Sequence, residues 1–134
     1  MSKSNRVVHF EIHADDVDRC AAFYSKIFGW KITKWEGGNI EYMMVETGGR
    51  DETGGINGGI IKRMGPRPAE GAPVFGYVCT LQVENYDETA AKIEAEGCKC
   101  ALPKFKIGEM AWQVYYIDTE GNLFGIHEPI EAAT

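Results

Sequence analysis

Two side chains suited to proton transfer stand two positions apart near the start of the chain, in the segment VVHFEIHA. His9 and Glu11 would share one face of a strand, because side chains alternate between the two faces of an extended backbone. A histidine exchanges protons near neutral pH, and a neighbouring carboxylate favours its charged form and fixes its tautomer. We therefore predict an acid–base pair at His9 and Glu11. A hydrogen-bonded pair without chemistry is the alternative.

A second histidine near the other end of the chain extends this hypothesis. If the two strands lie side by side, His9, Glu11 and His127 would form a His-Glu-His set of the kind that nonheme iron or zinc accepts. A divalent metal at this displaced site is therefore an alternative to proton transfer by the pair alone.

The remaining reactive residues favour simpler interpretations. The four cysteines include a C-x-C at Cys98 and Cys100, and their positions favour reduced structural thiols, with a redox or metal role as the alternative. The sequence has no nucleophile elbow or phosphate loop. Its glycine-rich segment, GGINGG, lacks the order of a dinucleotide fingerprint, which indicates close strand packing instead.

The elements that must position these residues occur twice. The stretch VVHFEIHADDVDRCAAFYSKIFGWK, from Val7, aligns with GYVCTLQVENYDETAAKIEAEGCK, from Gly76, so the offset is 69 residues. A repeat constrains a fold more strongly than local propensity does, and two copies of one module predict a site shared between them.

Each copy reads as a strand, a helix and three further strands. Alternation over 7–14 predicts the first strand, and an aspartate-rich opening followed by helical spacing predicts a helix that Gly29 ends. We predict the other strands of the first copy at 30–35, 40–46 and 55–62, with a hairpin turn at 37–39 and a polar loop at 47–54. In the second copy we predict a strand at 75–83, a helix at 86–96, and strands at 98–102, 110–117 and 122–128.

These elements predict an α+β fold in a single domain, 1–134. It consists of two tandem βαβββ modules, 6–62 and 74–130, joined by a linker at 63–73 that is rich in proline and glycine. A helix covers one face of each sheet. The free faces can then close on each other around a cup-shaped cavity.

This pattern resembles the vicinal oxygen chelate superfamily, which includes glyoxalase I, extradiol dioxygenases and bleomycin-resistance proteins. Three motifs carry the resemblance: H-F-E-I-x-A-D-D-x-D-R-x-A-A-F-Y-x-x-x-F-G-W from His9 to Trp30, the GGINGG segment, and D-x-E-G-N-L-F-G-I from Asp118 to Ile126. Within the superfamily the chain is most similar to small glyoxalase-like proteins. The resemblance implies the paired modules around a cavity, and it implies a homodimer.

The resemblance also implies where a metal would bind. Superfamily enzymes hold a divalent metal with four side chains, one on the first strand and one on the last strand of each module. Those positions correspond here to His9 and Gly59 in the first copy, and to Val78 and Gly125 in the second, or to Gly58 if the strand slips by one. Only His9 offers a donor, and a divalent ion with one of four ligands would be held weakly. We therefore expect no cofactor at the usual set.

Aromatic residues and methionines on the middle strands predict the ligand surface. One face of each strand must pack against its helix, and the other face would line the cavity. We predict that Trp112, Val114 and Tyr116 lie on the cavity face. The full predicted ligand-binding set is Trp112, Val114, Tyr116, Val78, Thr80, Gly59 and Gly125. Trp30 and Trp35 are predicted to be packing or dimer contacts.

Composition restricts the class of partner. The 134 residues carry a formal net charge of −6, which argues against nucleic acid and anionic membranes. No apolar run approaches a membrane span, and the N-terminus lacks a signal peptide pattern, so we expect a cytoplasmic protein. We predict that it binds a small apolar or aromatic molecule without the usual metal. The alternative is a lyase, isomerase or dioxygenase that uses the displaced metal or the His9–Glu11 pair.

Overall fold

The computed structural model describes residues 5–36, 41–48, 54–73 and 76–130. The chain divides into two compact units, Met1–Pro66 (unit 1) and Arg67–Thr134 (unit 2). In chain order the elements are β1 (Phe10–Ala14), α1 (Val17–Phe28), β2 (Lys31–Lys34), β3 (Tyr42–Glu46), β4 (Gly58–Lys62), β5 (Cys79–Gln82), α2 (Tyr86–Ala95), β6 (Cys100–Ile107), β7 (Ala111–Ile117) and β8 (Leu123–Pro129).

Both units contain the same four-stranded mixed sheet. The strand order is β1-β4-β3-β2 in unit 1 and β5-β8-β7-β6 in unit 2. The first strand of each unit runs parallel to the last, and the other pairs are antiparallel. The predicted α+β fold of two βαβββ modules is confirmed. The hairpin turn predicted at 37–39 and most of the loop predicted at 47–54 lie outside the described residues.

The structure corrects predicted boundaries in unit 2: the strand predicted at 75–83 runs from Cys79 to Gln82, and the largest difference is at the end of β6. Strand β6 continues to Ile107, whereas the sequence prediction ended it at residue 102. Pro103 lies inside the strand, and the β6–β7 register shifts on both sides of Leu102. An edge strand accepts a proline at such an irregularity, because an N–H that faces away from the sheet is not needed there.

Capping side chains begin both helices. Asp16 has an extended backbone and accepts a hydrogen bond from the Arg19 backbone N–H at 3.0 Å, and Asn85 accepts one from Glu88 N–H at 3.0 Å. These bonds satisfy donors that have no partner within the helix. Gly29 ends α1 with φ of 72°, a conformation that glycine adopts without a steric cost.

Alternation of buried and exposed residues assigns the two faces of each sheet. In unit 1 the buried face carries Met43, Val45 and Ile60, and α1 presents buried Cys20 and Phe23. The residues between them on the strands point to the other face. We call the face that the helix of its own unit does not cover the open face of that sheet.

In unit 2 a partly buried hydrogen bond fixes the corresponding assignment. The Tyr116 hydroxyl donates to a Glu94 carboxylate oxygen of α2 at 2.7 Å, so Tyr116 lies on the helix side of the sheet. Burial, and then this bond to Glu94, raise the pKa of Tyr116 well above its usual value. The phenol therefore stays a donor throughout the physiological pH range.

Two arginines of the predicted linker, Arg63 and Arg67, each contact residues of their own unit. Arg63 donates to Asp15 Oδ1 and to the His13 carbonyl oxygen, both at 3.0 Å. Arg67 donates to the Thr119 carbonyl oxygen at 3.1 Å and lies 3.9 Å from the buried Glu120 carboxylate. Among the described residues, no helix is long and apolar enough to cross a membrane.

The Tyr116–Glu94 bond leads to a stability prediction. We expect Tyr116→Phe to lower the free energy of unfolding by about 1 kcal/mol, the usual net contribution of one such hydrogen bond. Urea denaturation monitored by circular dichroism measures the change. The matched control is Tyr115→Phe on the opposite face of β7, which should change the unfolding free energy much less. Equal losses in both variants would contradict the assigned role of the bond.

Candidate functional site

A row of three ionisable side chains follows the open face of unit 1 along β1. His9 stands immediately before the strand, and Glu11 and His13 lie within it. The Glu11 carboxylate oxygens lie 3.8 Å from His9 Nε2 and 3.8 Å from His13 Nε2. All three side chains are exposed by more than a third, with values of 49%, 41% and 49% along the row. The predicted proximity of His9 and Glu11 is therefore present.

Tyr42 adds a fourth polar group that the sequence did not single out. Its hydroxyl oxygen lies 3.0 Å from His9 Nε2, at hydrogen-bond distance, although the two residues are 33 positions apart. Burial, and then the negative charge of Glu11, raise the pKa of Tyr42 above its usual value. The phenol is therefore protonated at neutral pH, and either it donates to His9 or it accepts from a protonated Nε2.

The Tyr42 ring lies across the space above Gly59. In the sheet, Gly59 stands between Glu11 on β1 and Met44 on β3. A Cβ atom built on Gly59 would overlap the Tyr42 ring and hydroxyl. Only a residue without a side chain leaves room for this ring, so Gly59 determines where Tyr42 and its hydroxyl lie.

Unit 2 repeats this arrangement with different chemistry. Gly125 stands between Thr80 on β5 and Tyr115 on β7, as Gly59 does between Glu11 and Met44. A Cβ atom on Gly125 would overlap the Gln113 amide nitrogen. That amide donates to Thr80 Oγ1 at 3.1 Å. Gln113 therefore occupies the place that Tyr42 takes in unit 1.

The residues present do not fit the four-ligand metal set that the resemblance implies. Gly59 and Gly125 have no donor, and Tyr42 and Gln113 fill the space where longer side chains would project. Val78, the fourth position, is apolar. Among the residues that the structure describes, no three histidine, cysteine, aspartate or glutamate side chains group closely enough to hold a metal ion.

The displaced metal set draws on both units. His127 pairs with Gln82 and Gln113 in the sheet of unit 2, whereas His9 and Glu11 belong to unit 1. A metal at His9, Glu11 and His127 stays a prediction.

The structure corrects the choice of face on β7. Trp112, Val114 and Tyr116 share one face, as expected, but it is the face against α2 rather than the open face. The Lys104 ammonium lies 4.4 Å from the centroid of the Tyr86 ring of α2 and 4.6 Å from that of Trp112. Both faces of β7 carry aromatic side chains, so the sequence pattern alone could not distinguish them.

Aromatic side chains do occur on both open faces. In unit 1 Trp35 packs edge-on against Tyr42, with centroids 6.1 Å apart, and Met44 is 45% exposed. In unit 2 Phe105 stacks on Tyr115, with centroids 6.3 Å apart. Trp35 thus packs against Tyr42 beside the polar row, which agrees with the packing contact predicted for it.

Two other sequence predictions concern packing and thiols. Trp30 is a packing residue as predicted, stacked on Tyr24 with centroids 4.8 Å apart. The cysteines are free thiols. Burial, and then Asp118 and Glu96, raise the pKa of Cys98 to about 11, so this thiol is protonated at neutral pH and weakly nucleophilic.

The fit of Tyr42 over Gly59 leads to a second prediction. We expect Gly59→Ala to lower the unfolding free energy by about 1–3 kcal/mol, because the added methyl group displaces the Tyr42 ring. Gly65→Ala is the control, since a methyl group there meets open space. In a Tyr42→Ala background the cost of Gly59→Ala should nearly disappear. An unchanged cost in that background would contradict the steric explanation.

Comparisons with known proteins agree with this architecture. A family model described as bleomycin resistance protein-like N-terminal matches residues 6–48. A glyoxylase-like domain-containing protein from Didymella fabae is 28% identical over 118 residues, which cover 87% of this chain and 88% of that protein.

Solved structures extend the comparison to the whole fold. A glyoxalase family protein from Bacillus cereus has a TM-score of 0.71 at 18% identity, and the match covers 97% of each chain. A genomically encoded fosfomycin resistance protein from Listeria monocytogenes has a TM-score of 0.65 at 15% identity, covering 93% of this chain and 91% of that one. Together these comparisons show that the chain has the fold of glyoxalase and bleomycin-resistance proteins, and that its residues 6–48 match a bleomycin resistance protein-like family model.

Proposed function

We propose that the chain binds a small apolar or aromatic molecule on the open faces of its sheets, without the four-ligand metal site of the superfamily enzymes. The observation that carries this proposal is the pair of glycines at the ligand positions, Gly59 and Gly125, with Tyr42 and Gln113 in the space above them. A protein that sequesters a compound needs a surface of suitable chemistry and no reactive metal.

The side chains of the open faces support a flat ligand. Trp35 and Tyr42 lie together in unit 1, and Phe105 and Tyr115 lie together in unit 2. Aromatic rings provide contact area to planar molecules, and nearby polar groups orient them. Met44, with 45% of its surface exposed, is a flexible apolar contact beside the first pair.

A metal-independent lyase or isomerase is the second candidate, and one observation favours it. The Tyr42 hydroxyl contacts His9 Nε2 at 3.0 Å, and Glu11 lies 3.8 Å from the same nitrogen. A histidine held between a phenol and a carboxylate is suited to accept a proton from a bound molecule. His9 and Glu11 would then act as base and supporting carboxylate.

The homodimer and the cytoplasmic location belong to the same proposal. Light scattering from purified protein should give twice the 14.9 kDa of one chain. A mass of one chain at micromolar concentration would contradict the dimer.

Metal analysis tests the metal-free part of the proposal. Protein purified without chelator and then incubated with zinc, nickel, manganese or iron should retain much less than one equivalent after desalting. One equivalent of a metal that is lost in His9→Ala would contradict it and favour the metal-dependent alternative.

A thermal-shift screen tests binding. Planar aromatic compounds should stabilise the protein by about 2.7 kcal/mol when the ligand is at 100 times its Kd. Met44→Lys on the open face of unit 1 should weaken binding, and Met64→Lys at an exposed position after β4 is the matched control. The proposal fails if no compound stabilises the protein, or if both variants weaken binding equally.

Proton exchange distinguishes binding from the second candidate. For a ligand that binds and carries an acidic C–H, the enzyme hypothesis predicts protein-dependent exchange with deuterium, observed by NMR. His9→Gln should then stop the exchange and leave the Kd nearly unchanged. Absence of exchange with every bound ligand would favour binding alone.

A further inference from the structure

We propose that the ligand is an aromatic cation and that Glu11 selects its charge. This inference rests on the proposed function and deepens it, because it names the chemical class of the ligand and one residue that recognises it. The charge, the exposure and the neighbours of Glu11 on the open face of unit 1 support the inference.

Glu11 is an acidic residue, and none of the described lysine and arginine side chains lies within ion-pair distance of it. Its contacts within ion-pair distance are His9 and His13, which are charged only if protonated. Within residues 5–36, 41–48, 54–73 and 76–130, no lysine or arginine forms an ion pair with Glu11. By contrast, Glu46 on the same face lies 3.7 Å from the Lys31 ammonium.

In the part of the chain that the structure describes, the neighbouring strands place no lysine or arginine within ion-pair distance of Glu11. Its partner on β4 is Gly59, and β3 contributes Tyr42 above that glycine. The phenol of Tyr42 is neutral, and the negative charge of Glu11 is one of the two causes that raise its pKa. The field of the carboxylate therefore extends over the aromatic ring beside it.

The surroundings of Glu11 suit both parts of an aromatic cation. Its carboxylate is 41% exposed and can accept charge-assisted hydrogen bonds from an ammonium or amidinium group. Tyr42 and the adjacent Trp35 offer ring faces and edges to an aromatic system, and a cation gains further energy near such rings. The formal charge of −6 on the chain also attracts cations over longer distances.

The same surroundings disfavour an anion. Lys31 stands on this open face, and its ammonium already pairs with Glu46. A carboxylate or phosphonate ligand would approach Glu11 without a permanent positive charge to offset the repulsion.

Three naphthalene probes of equal ring size test the inference by calorimetry at neutral pH in the presence of EDTA. Naphthylmethylamine is a cation, naphthylmethanol is neutral and naphthoate is an anion. We expect the amine to bind roughly fivefold more tightly than the alcohol, as a partly exposed ion pair allows, and naphthoate to bind most weakly. Glu11→Gln should remove the preference for the amine, because it lowers the affinity for the amine much more than the affinity for the alcohol.

Two further variants complete the test. Glu46→Gln removes a carboxylate from the same face that is already paired, so it should keep the preference for the amine. Glu11→Asp keeps the charge on a shorter side chain and should keep part of the preference, which separates charge from folding defects. Circular dichroism confirms that each variant is folded.

Each contrary result has a distinct meaning. If none of the three probes binds, the proposed function fails, and this inference fails with it. If all three bind with equal affinity, or if Glu11→Gln leaves the preference intact, binding stands and the role of Glu11 is overturned. If Glu46→Gln removes the preference as completely as Glu11→Gln does, Glu11 is not the selective group.

Discussion

The missing side chain of Gly59 leaves a space on the open face of the first sheet, and the ring of Tyr42 fills it. This steric fit fixes the Tyr42 hydroxyl 3.0 Å from His9 Nε2 and so connects β3 to the segment that begins β1. It also removes the donor that a metal would need at this position. Gly59 thus both sets the position of Tyr42 beside His9 and leaves one of the four usual ligand positions without a donor.

The second unit has the same arrangement, in which a glycine leaves space for a polar side chain, but the polar groups differ. Gly125 leaves the same space, and there an amide donates to a hydroxyl instead of a phenol contacting an imidazole. The two βαβββ modules therefore keep one backbone plan and differ in the polar groups on their open faces. Unit 1 carries a row of two histidines and a glutamate with aromatic neighbours, whereas unit 2 carries a neutral Gln113–Thr80 pair.

Much of the fold could be predicted because its signals are local. The repeat, the strand alternation and the capping residues Asp16 and Asn85 determine the order of elements in both modules. The face of β7 could not be predicted, because aromatic residues occur on both sides and the bond from Tyr116 to Glu94 decides between them. The contact between Tyr42 and His9 could not be predicted because it spans 33 positions, and Gly59, over which the Tyr42 ring lies, pairs in the sheet with Met44 rather than with Tyr42.

The central claim is that ligands bind the open faces, and two adjacent methionines test it most directly. Met44 projects from the open face of β3, whereas Met43 is buried on the face that α1 covers. In a titration of protein labelled with ¹³C at the methionine methyl groups, a bound aromatic compound should shift the Met44 resonance and leave that of Met43 nearly unchanged. A shift of Met43 with Met44 unaffected would contradict the account.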